Sequence, residues 1–106
     1  MNLAAPIQRY FDADREHDAH ALAETFRPDA VVRDEGSSYA GRPAIEAWWR
    51  DAHARVPHVV EPVDVAAAGH PAIVRARVSG DFPGSPVVLS YQLAFSNELI
   101  QSLKIV

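Results

Sequence analysis

The chain has 106 residues, of which 48% are hydrophobic and 23% charged, a length and composition typical of one folded domain spanning residues 1–106. Its net charge is −4 and its ten lysines and arginines are scattered, so the sequence lacks the clustered cations of a nucleic-acid-binding surface. The absence of cysteine excludes disulfides, thiolate chemistry and cysteine-based zinc sites.

The apolar stretches are far shorter than the ~20 residues that span a bilayer. The first residues carry neither a basic leader nor an apolar run of signal-peptide length. We therefore expect a cytoplasmic protein with no membrane contact.

Three helices are predicted in the N-terminal half. The first follows Pro6, because a proline in the first helical turn costs no hydrogen bond. The second covers Ala19 to Phe26, with Asp18 as its N-cap. The third runs from Pro43 to Val56, with an apolar stripe at helical spacing.

The remaining chain predicts strands separated by turn residues. The predicted strands are Ala30 to Asp34, His58 to Ala67, Ala72 to Phe82, Val87 to Phe95 and Leu99 to Val106. Residues 36–41 are predicted to form a loop. The last four strands are linked by short turns and predict an antiparallel meander with the helices on one face, an α+β fold.

A strongly twisted sheet that curls around helices leaves a hollow, and polar residues on its apolar faces are the candidate functional groups. Asp34 follows Val32 by two residues, so both project to the same side of the strand. A carboxylate at this inner rim would have a raised pKa and could serve as a general base. The alternative is that Asp34 ends the strand and caps the following loop.

Aromatic residues supply the other candidates. Tyr10 lies on the apolar stripe of the first helix and Tyr91 on the apolar face of its strand, where each is either a packed core residue or a hydroxyl donor in the pocket. Trp48 and Trp49 differ by about 100° around their helix, so we expect one in the core and the other in the pocket or a dimer contact. His58 could reach the pocket in phase with Val60. No metal-ligand spacing is found.

The order of elements and several segments together resemble the NTF2-like superfamily, and more narrowly its SnoaL-like and ketosteroid-isomerase-like branch. The resemblance covers most of the chain and is carried by Ile7-Gln8-Arg9-Tyr10-Phe11, by Leu22 to Asp34 with Phe26-Arg27-Pro28-Asp29-Ala30-Val31, and by Gly41-Arg42-Pro43-Ala44-Ile45-Glu46-Ala47-Trp48-Trp49.

This resemblance implies a cone-shaped fold, three N-terminal helices packed on a strongly curved antiparallel sheet, and a homodimer. It also implies that Asp34 is the general base and Tyr10 an oxyanion donor. The sequence departs from the family pattern in two places. Tyr91 stands where the family has a second, acidic donor, and Glu35 stands where a proline commonly follows the base.

Two functions are consistent with these residues. One is an enzyme of the isomerase, cyclase or dehydratase type that acts on an enolisable carbonyl compound, with Asp34 and Tyr10 catalytic. In that enzyme Trp48, Trp49, His58 and Tyr91 would contact a small apolar substrate, without cofactor or metal. The alternative is a non-catalytic ligand-binding or dimerisation module of the same fold.

Overall fold

The computed structural model describes residues 1–106 and contains three helices and six strands. In chain order these are α1 (Ala5–Arg15), α2 (Ala19–Glu24), β1 (Phe26–Asp34), β2 (Ser37–Ala40), α3 (Arg42–Arg55), β3 (His58–Ala67), β4 (Ala72–Gly80), β5 (Val87–Ser96) and β6 (Leu99–Ile105). No helix has the length and hydropathy that a membrane crossing requires.

All six strands form one curved sheet in the order β2-β1-β6-β5-β4-β3. The predicted meander of the last four strands is confirmed, with antiparallel pairing throughout. The pair β1–β6 is parallel, because the chain leaves β1 through a hairpin and a helix and returns to its other side only at the end. The α+β class, with helices against a strongly curved sheet, is confirmed.

The helices begin with the prolines and the N-cap residue that the sequence predicts. Pro6 lies in the first turn of α1, and α3 begins one residue before Pro43. The Asp18 side chain accepts a 3.0 Å hydrogen bond from the backbone N–H of Ala21, which satisfies one of the free donors at the start of α2.

The end of α2 was predicted wrongly. The helix stops at Glu24, and Phe26 already belongs to β1. Pro28 disfavours helix at the residue before it but is compatible with extended backbone. Pro28 lies between Phe26 and Val31, where the pairing of β1 with β6 is irregular. Its missing N–H therefore removes no hydrogen bond from a regular strand pair.

The loop predicted for residues 36–41 contains a strand. Asp34 pairs with Ser37, so Glu35 and Gly36 form a two-residue hairpin turn with φ values of 51° and 78°. Two successive positive φ values are characteristic of the type I′ turn, whose twist matches that of a hairpin. In the hairpin that joins β4 to β5, β4 ends at Gly80, two residues before the end predicted at Phe82.

The apolar core fills the space between the helices and the inner face of β1, β6 and the middle of the sheet. Its fully buried members include Ile7, Leu22, Phe26, Val32, Ile45, Val74, Leu93, Ile100 and Leu103. Each such side chain contributes about 1.5–3 kcal/mol by burial. Toward the start of β3 the sheet and α3 diverge, and a cavity opens between them and α1.

Candidate active site

The cavity between the helices and the curved sheet has a volume of about 520 Å³, a size that suits a small molecule. Helices α1 and α3 form one wall, strands β3, β4 and β5 form the other, and the β1–β2 hairpin lies at the rim. Its lining is mainly apolar, with Ala52, Val56, Val60, Val78, Phe82, Val87, Leu89 and Ile105 among the wall residues.

Asp34 is at the rim of this cavity, at the end of β1. Val32, two residues earlier, is fully buried, so the alternation of the strand turns both side chains inward. The half-buried carboxylate accepts a 3.1 Å hydrogen bond on Oδ2 from the indole N–H of Trp48. Burial raises the pKa of Asp34, and the Trp48 hydrogen bond opposes part of that rise. A higher pKa gives the ionised form a stronger affinity for protons, which a general base requires.

Two phenols lie deeper in the cavity. Tyr10 from α1 is 2% exposed and Tyr91 from β5 is 4% exposed, with their ring centroids 6.3 Å apart. Burial raises the pKa of both hydroxyls, so they remain protonated donors. Neither hydroxyl is paired with another protein group, and neither oxygen is among the fully enclosed polar atoms that lack a partner, so each has surface open to the cavity. Both are therefore free to donate to a ligand oxygen.

A second carboxylate, Asp14, also lines the cavity and is only 5% exposed. Its Oδ1 accepts a 2.8 Å hydrogen bond from the indole N–H of Trp49 and is 3.6 Å from Nε2 of His53. The negative charge of Asp14 contributes to the raised pKa of both Tyr10 and Tyr91. The Asp14 carboxylate is therefore close enough to act electrostatically on both phenols.

Three rings are stacked along one wall. The ring of His53 stacks on Trp49 and on His58, with centroid separations of 3.9 Å and interplanar angles of 26° and 22°. Nδ1 of His58 is 2.5 Å from the carbonyl oxygen of Val56. A carbonyl only accepts, so this nitrogen carries the proton. Asp34 and His58 line the same cavity, and the positive charge of a protonated His58 would lower the pKa of Asp34.

The structure places all six residues singled out from the sequence around this cavity: Tyr10, Asp34, Trp48, Trp49, His58 and Tyr91. Trp48 and Trp49 were expected to divide between the core and the pocket or a dimer contact, but both are buried in the core. Both also line the cavity, and their azimuthal difference directs their N–H groups to different carboxylates.

Sequence reasoning missed Asp14 and His53 as site residues. Asp14 is four residues after Tyr10, and His53 is four residues after Trp49, so each pair shares a helix face. This four-residue spacing from a predicted site residue was the sequence signal that could have identified Asp14 and His53. Glu35 and Tyr39 also line the rim and were not predicted. No group of three or more His, Asp and Glu side chains is arranged to hold a metal ion.

A curved sheet covered by helices, with a carboxylate and phenols around an apolar cavity, defines the NTF2-like class of pocket proteins. The chain belongs to the SnoaL-like domain family, whose sequence model matches residues 7–96. No protein of curated function matches the sequence.

Among solved structures, the chain is similar to a candidate polyketide cyclase from Sinorhizobium meliloti. The two are 46% identical with a TM-score of 0.93, and the match covers 98% of this chain and 95% of that one. Two more distant structures share the fold. A protein with a ketosteroid-isomerase-like fold from Catenulispora acidiphila, solved in complex with trimethylamine, has a TM-score of 0.84 at 20% identity, covering 99% of this chain and 86% of that one. A computationally designed 17-OHP binder has a TM-score of 0.76 at 16% identity, covering 94% and 86%.

Proposed function

We propose that this protein is a cofactor-independent enzyme that acts on a small, largely apolar compound with an enolisable carbonyl group. The observation that carries the proposal is that one carboxylate of raised pKa and two unpaired phenols line the same apolar cavity. The similarity to a candidate polyketide cyclase at 46% identity supports the same class of substrate.

In the proposed reaction, Asp34 removes a proton from the carbon next to the carbonyl. The Trp48 hydrogen bond is made to Oδ2 and the backbone of Glu35 supplies a second one, so the proposed proton acceptor is an oxygen of a carboxylate that protein donors hold in place. A positioned base of this kind contributes about 10²–10⁴-fold to the rate.

The enolate oxygen formed in this step needs a hydrogen-bond donor that water does not compete with. The hydroxyl of Tyr10, assisted by that of Tyr91, supplies it from the buried part of the cavity. In an enclosed site, removing one such donor typically lowers the rate about 10²–10³-fold. Trp48, Trp49, His58 and Tyr91 would contact the apolar body of the substrate. Isomerisation, aldol-type cyclisation and dehydration all pass through this enolate.

The alternative function is a non-catalytic ligand-binding module. It is favoured by the mainly apolar lining of the cavity and by Tyr91 at the position where the resemblance implies an acid. The designed 17-OHP binder has the same fold.

Hydrogen–deuterium exchange separates the two functions. The protein is incubated in heavy water with a panel of enolisable ketones such as β-tetralone, and loss of the proton next to the carbonyl is followed by NMR. We expect Asp34→Asn to slow exchange about 10²-fold or more, because the amide cannot take up the proton. Tyr10→Phe should slow it to a similar degree.

Quenching of Trp48 and Trp49 fluorescence reports ketone binding in the same samples. Asp34→Asn should bind the ketone as the unsubstituted protein does, because the cavity walls are unchanged. Equal exchange rates for the unsubstituted protein and Asp34→Asn, with binding retained, would remove Asp34 from any mechanism and leave the binding module.

The proposed assembly is a homodimer, which the NTF2-like resemblance implies. Alternation along β5 turns Val87 and Leu89 into the cavity and Val88 outward. The outer face carries two of the most exposed large apolar side chains, Val59 at 63% and Val88 at 55%. A second copy packed on this face would cover both.

A further inference from the structure

His58 presents a ring nitrogen that has no part in the reaction proposed for Asp34. It is the first residue of β3, and alternation along the strand turns His58 and Val60 to the same face, on which both line the cavity. Its neighbour across the strand pair is Gly80, so β4 contributes no side chain directly opposite the ring. The imidazole of His58 is therefore part of the cavity wall.

Two contacts fix the orientation of this ring. One face stacks on His53, with ring centroids 3.9 Å apart. Nδ1 donates to the carbonyl oxygen of Val56 at 2.5 Å. Because the proton of the neutral ring is on Nδ1, Nε2 carries a lone pair and is a hydrogen-bond acceptor. The tautomer, and with it the acceptor, is set before any ligand binds.

Nε2 of His58 has no partner in the protein. The side chain forms its hydrogen bond through Nδ1, and the histidines that pair with carboxylates are His20 and His53. His58 is half-buried, yet Nε2 is not among the fully enclosed polar atoms that lack a partner, so it keeps accessible surface in a side chain that lines the cavity. A ligand that covers this nitrogen without supplying a donor leaves it unsatisfied, which weakens binding.

The hydrogen-bonding groups of the cavity call for a ligand with two kinds of polar group. The free hydroxyls of Tyr10 and Tyr91 suit a carbonyl oxygen, which only accepts. Nε2 of His58 requires a donor. A hydroxyl supplies that donor without bringing a charge into a mainly apolar cavity, as an ammonium group would.

We infer that Nε2 of His58 accepts a hydrogen bond from a hydroxyl group of the substrate, so that the site selects hydroxylated carbonyl compounds over their deoxy and O-methyl counterparts. This inference rests on the proposed function, in which the carbonyl oxygen of the substrate accepts from Tyr10. His58 is then a specificity-determining residue, in addition to its contact with the apolar body of the substrate.

A methoxy group in place of the hydroxyl tests the direction of this hydrogen bond. It keeps the oxygen and can accept from a protonated imidazole, but it has no proton to give to a neutral one. The deoxy compound lacks the oxygen altogether and controls for the size of the added methyl group. A hydroxyl that binds better than both must be acting as a donor.

The probes are β-tetralones that carry one hydroxyl group on the aromatic ring, one compound for each ring position, with their methoxy counterparts and β-tetralone itself. Binding is measured by quenching of the Trp48 and Trp49 fluorescence, and exchange of the proton next to the carbonyl by NMR in heavy water. We expect at least one hydroxy compound to bind the unsubstituted protein about tenfold more tightly than its methoxy counterpart and than β-tetralone.

Two substitutions separate the nitrogen from the ring. His58→Phe keeps an aromatic ring for the stack on His53 but has no acceptor, so the preference for the hydroxy compound should fall to within about twofold. His58→Gln can place an amide oxygen near the position of Nε2 and should keep a preference of about fivefold. Each preference is a ratio of affinities within one protein, so a general loosening of the cavity cancels.

His17 is the matched control. Its ring contacts that of His53 at 5.6 Å, but it is exposed and does not line the cavity. Its φ of 55° is one that asparagine tolerates, so His17→Asn removes an imidazole without straining the backbone. This variant should keep the tenfold preference of the unsubstituted protein.

The outcomes are distinct. A preference that stays tenfold in His58→Phe would place the hydroxyl elsewhere in the cavity and overturn the role of His58, as would the absence of any preference in the unsubstituted protein. A preference lost in His17→Asn as well would assign the effect to the ring stack instead of Nε2. The absence of exchange with every probe overturns the proposed function, and the affinity ratios then still decide whether Nε2 recognises a hydroxyl.

Discussion

Trp48 and Trp49 are neighbours in the sequence, yet each indole N–H reaches a different carboxylate. The turn of about 100° per helical residue directs Trp48 to Asp34 on β1 and Trp49 to Asp14 on α1. A buried carboxylate is costly unless it is hydrogen-bonded, and an indole donates without bringing a positive charge. Each carboxylate is therefore oriented without being neutralised by a salt bridge to lysine or arginine.

Asp34 should lower the stability of the folded protein at neutral pH. Burial raises its pKa in the folded state above the unfolded value of about 3.9. The stabilisation from this group is complete below the unfolded pKa and is lost as the pH rises through the folded pKa, because the folded protein then holds a partly buried charge. We expect Asp34→Asn to have a higher free energy of unfolding than the unsubstituted protein at pH ~7, and no advantage at pH ~3.5.

Urea denaturation at the two pH values measures this difference. Asp81→Asn, at an exposed position after β4, is the matched control and should show no gain at pH ~7 that is absent at pH ~3.5. An Asp34→Asn protein that is less stable than the unsubstituted protein at neutral pH would show that the carboxylate stabilises the fold, contrary to a raised pKa.

At the scale of elements, the sequence predicted the helices and the meander well because their signals are local. Pro6, Asp18 and Pro43 mark helix starts by backbone chemistry alone. The strand β2 was missed because Ser37 to Ala40 has neither alternation nor β-branched residues, and Glu35-Gly36 is weaker than the Asn-Gly or Asp-Gly that identifies a type I′ turn. The parallel β1–β6 pair joins segments that are far apart in the sequence and leaves no local pattern.

The site residues also differ in whether a local sequence pattern predicts them. Asp34 and Tyr10 could be found because a polar group on an apolar face is visible in the sequence. Asp14 and His53 also share helix faces with cavity residues, but their meeting depends on how α1 packs against α3. A pattern within one helix does not contain that distance of 3.6 Å.

Gly80 is the last residue of β4 and lies beside the first residue of β3, next to the cavity. It pairs with His58, and a Cβ at this position would be 2.6 Å from the carbonyl oxygen of Pro57 and 2.9 Å from the Cβ of His58. Neither atom is the end of a flexible side chain, so the strands must separate. We expect Gly80→Ala to lower the free energy of unfolding by about 1–3 kcal/mol, measured by urea denaturation.

Gly69→Ala is the control for this prediction, since a Cβ there meets nothing within 4 Å. Its effect should stay within about 0.5 kcal/mol. A Gly80→Ala protein as stable as Gly69→Ala would mean that β3 and β4 are not as closely apposed at His58 as described.

At the scale of the whole molecule, the helices cover one face of the sheet and leave the other open. On the open face Val59 lies opposite Ser79 and Val88 opposite Arg77, so the two valines flank one short region of β4. Arg77 is paired there with Glu61, with the Nη1 and Oε1 atoms 2.8 Å apart. Apolar side chains beside internally paired charges form a surface that a second copy can cover without burying an unpaired charge.

If the homodimer forms through this face, a charge at its centre should dissociate it. Val88→Lys would bury an ammonium group without a partner, so we expect the dimer dissociation constant to rise at least about 100-fold, close to 2.7 kcal/mol. Sedimentation equilibrium over a concentration series measures this constant. Ala68→Lys adds the same charge at an exposed turn between β3 and β4 and should leave it unchanged. A dimer that is equally tight in Val88→Lys and Ala68→Lys would place the contact elsewhere, and an unsubstituted protein that sediments as a monomer would contradict the dimer itself.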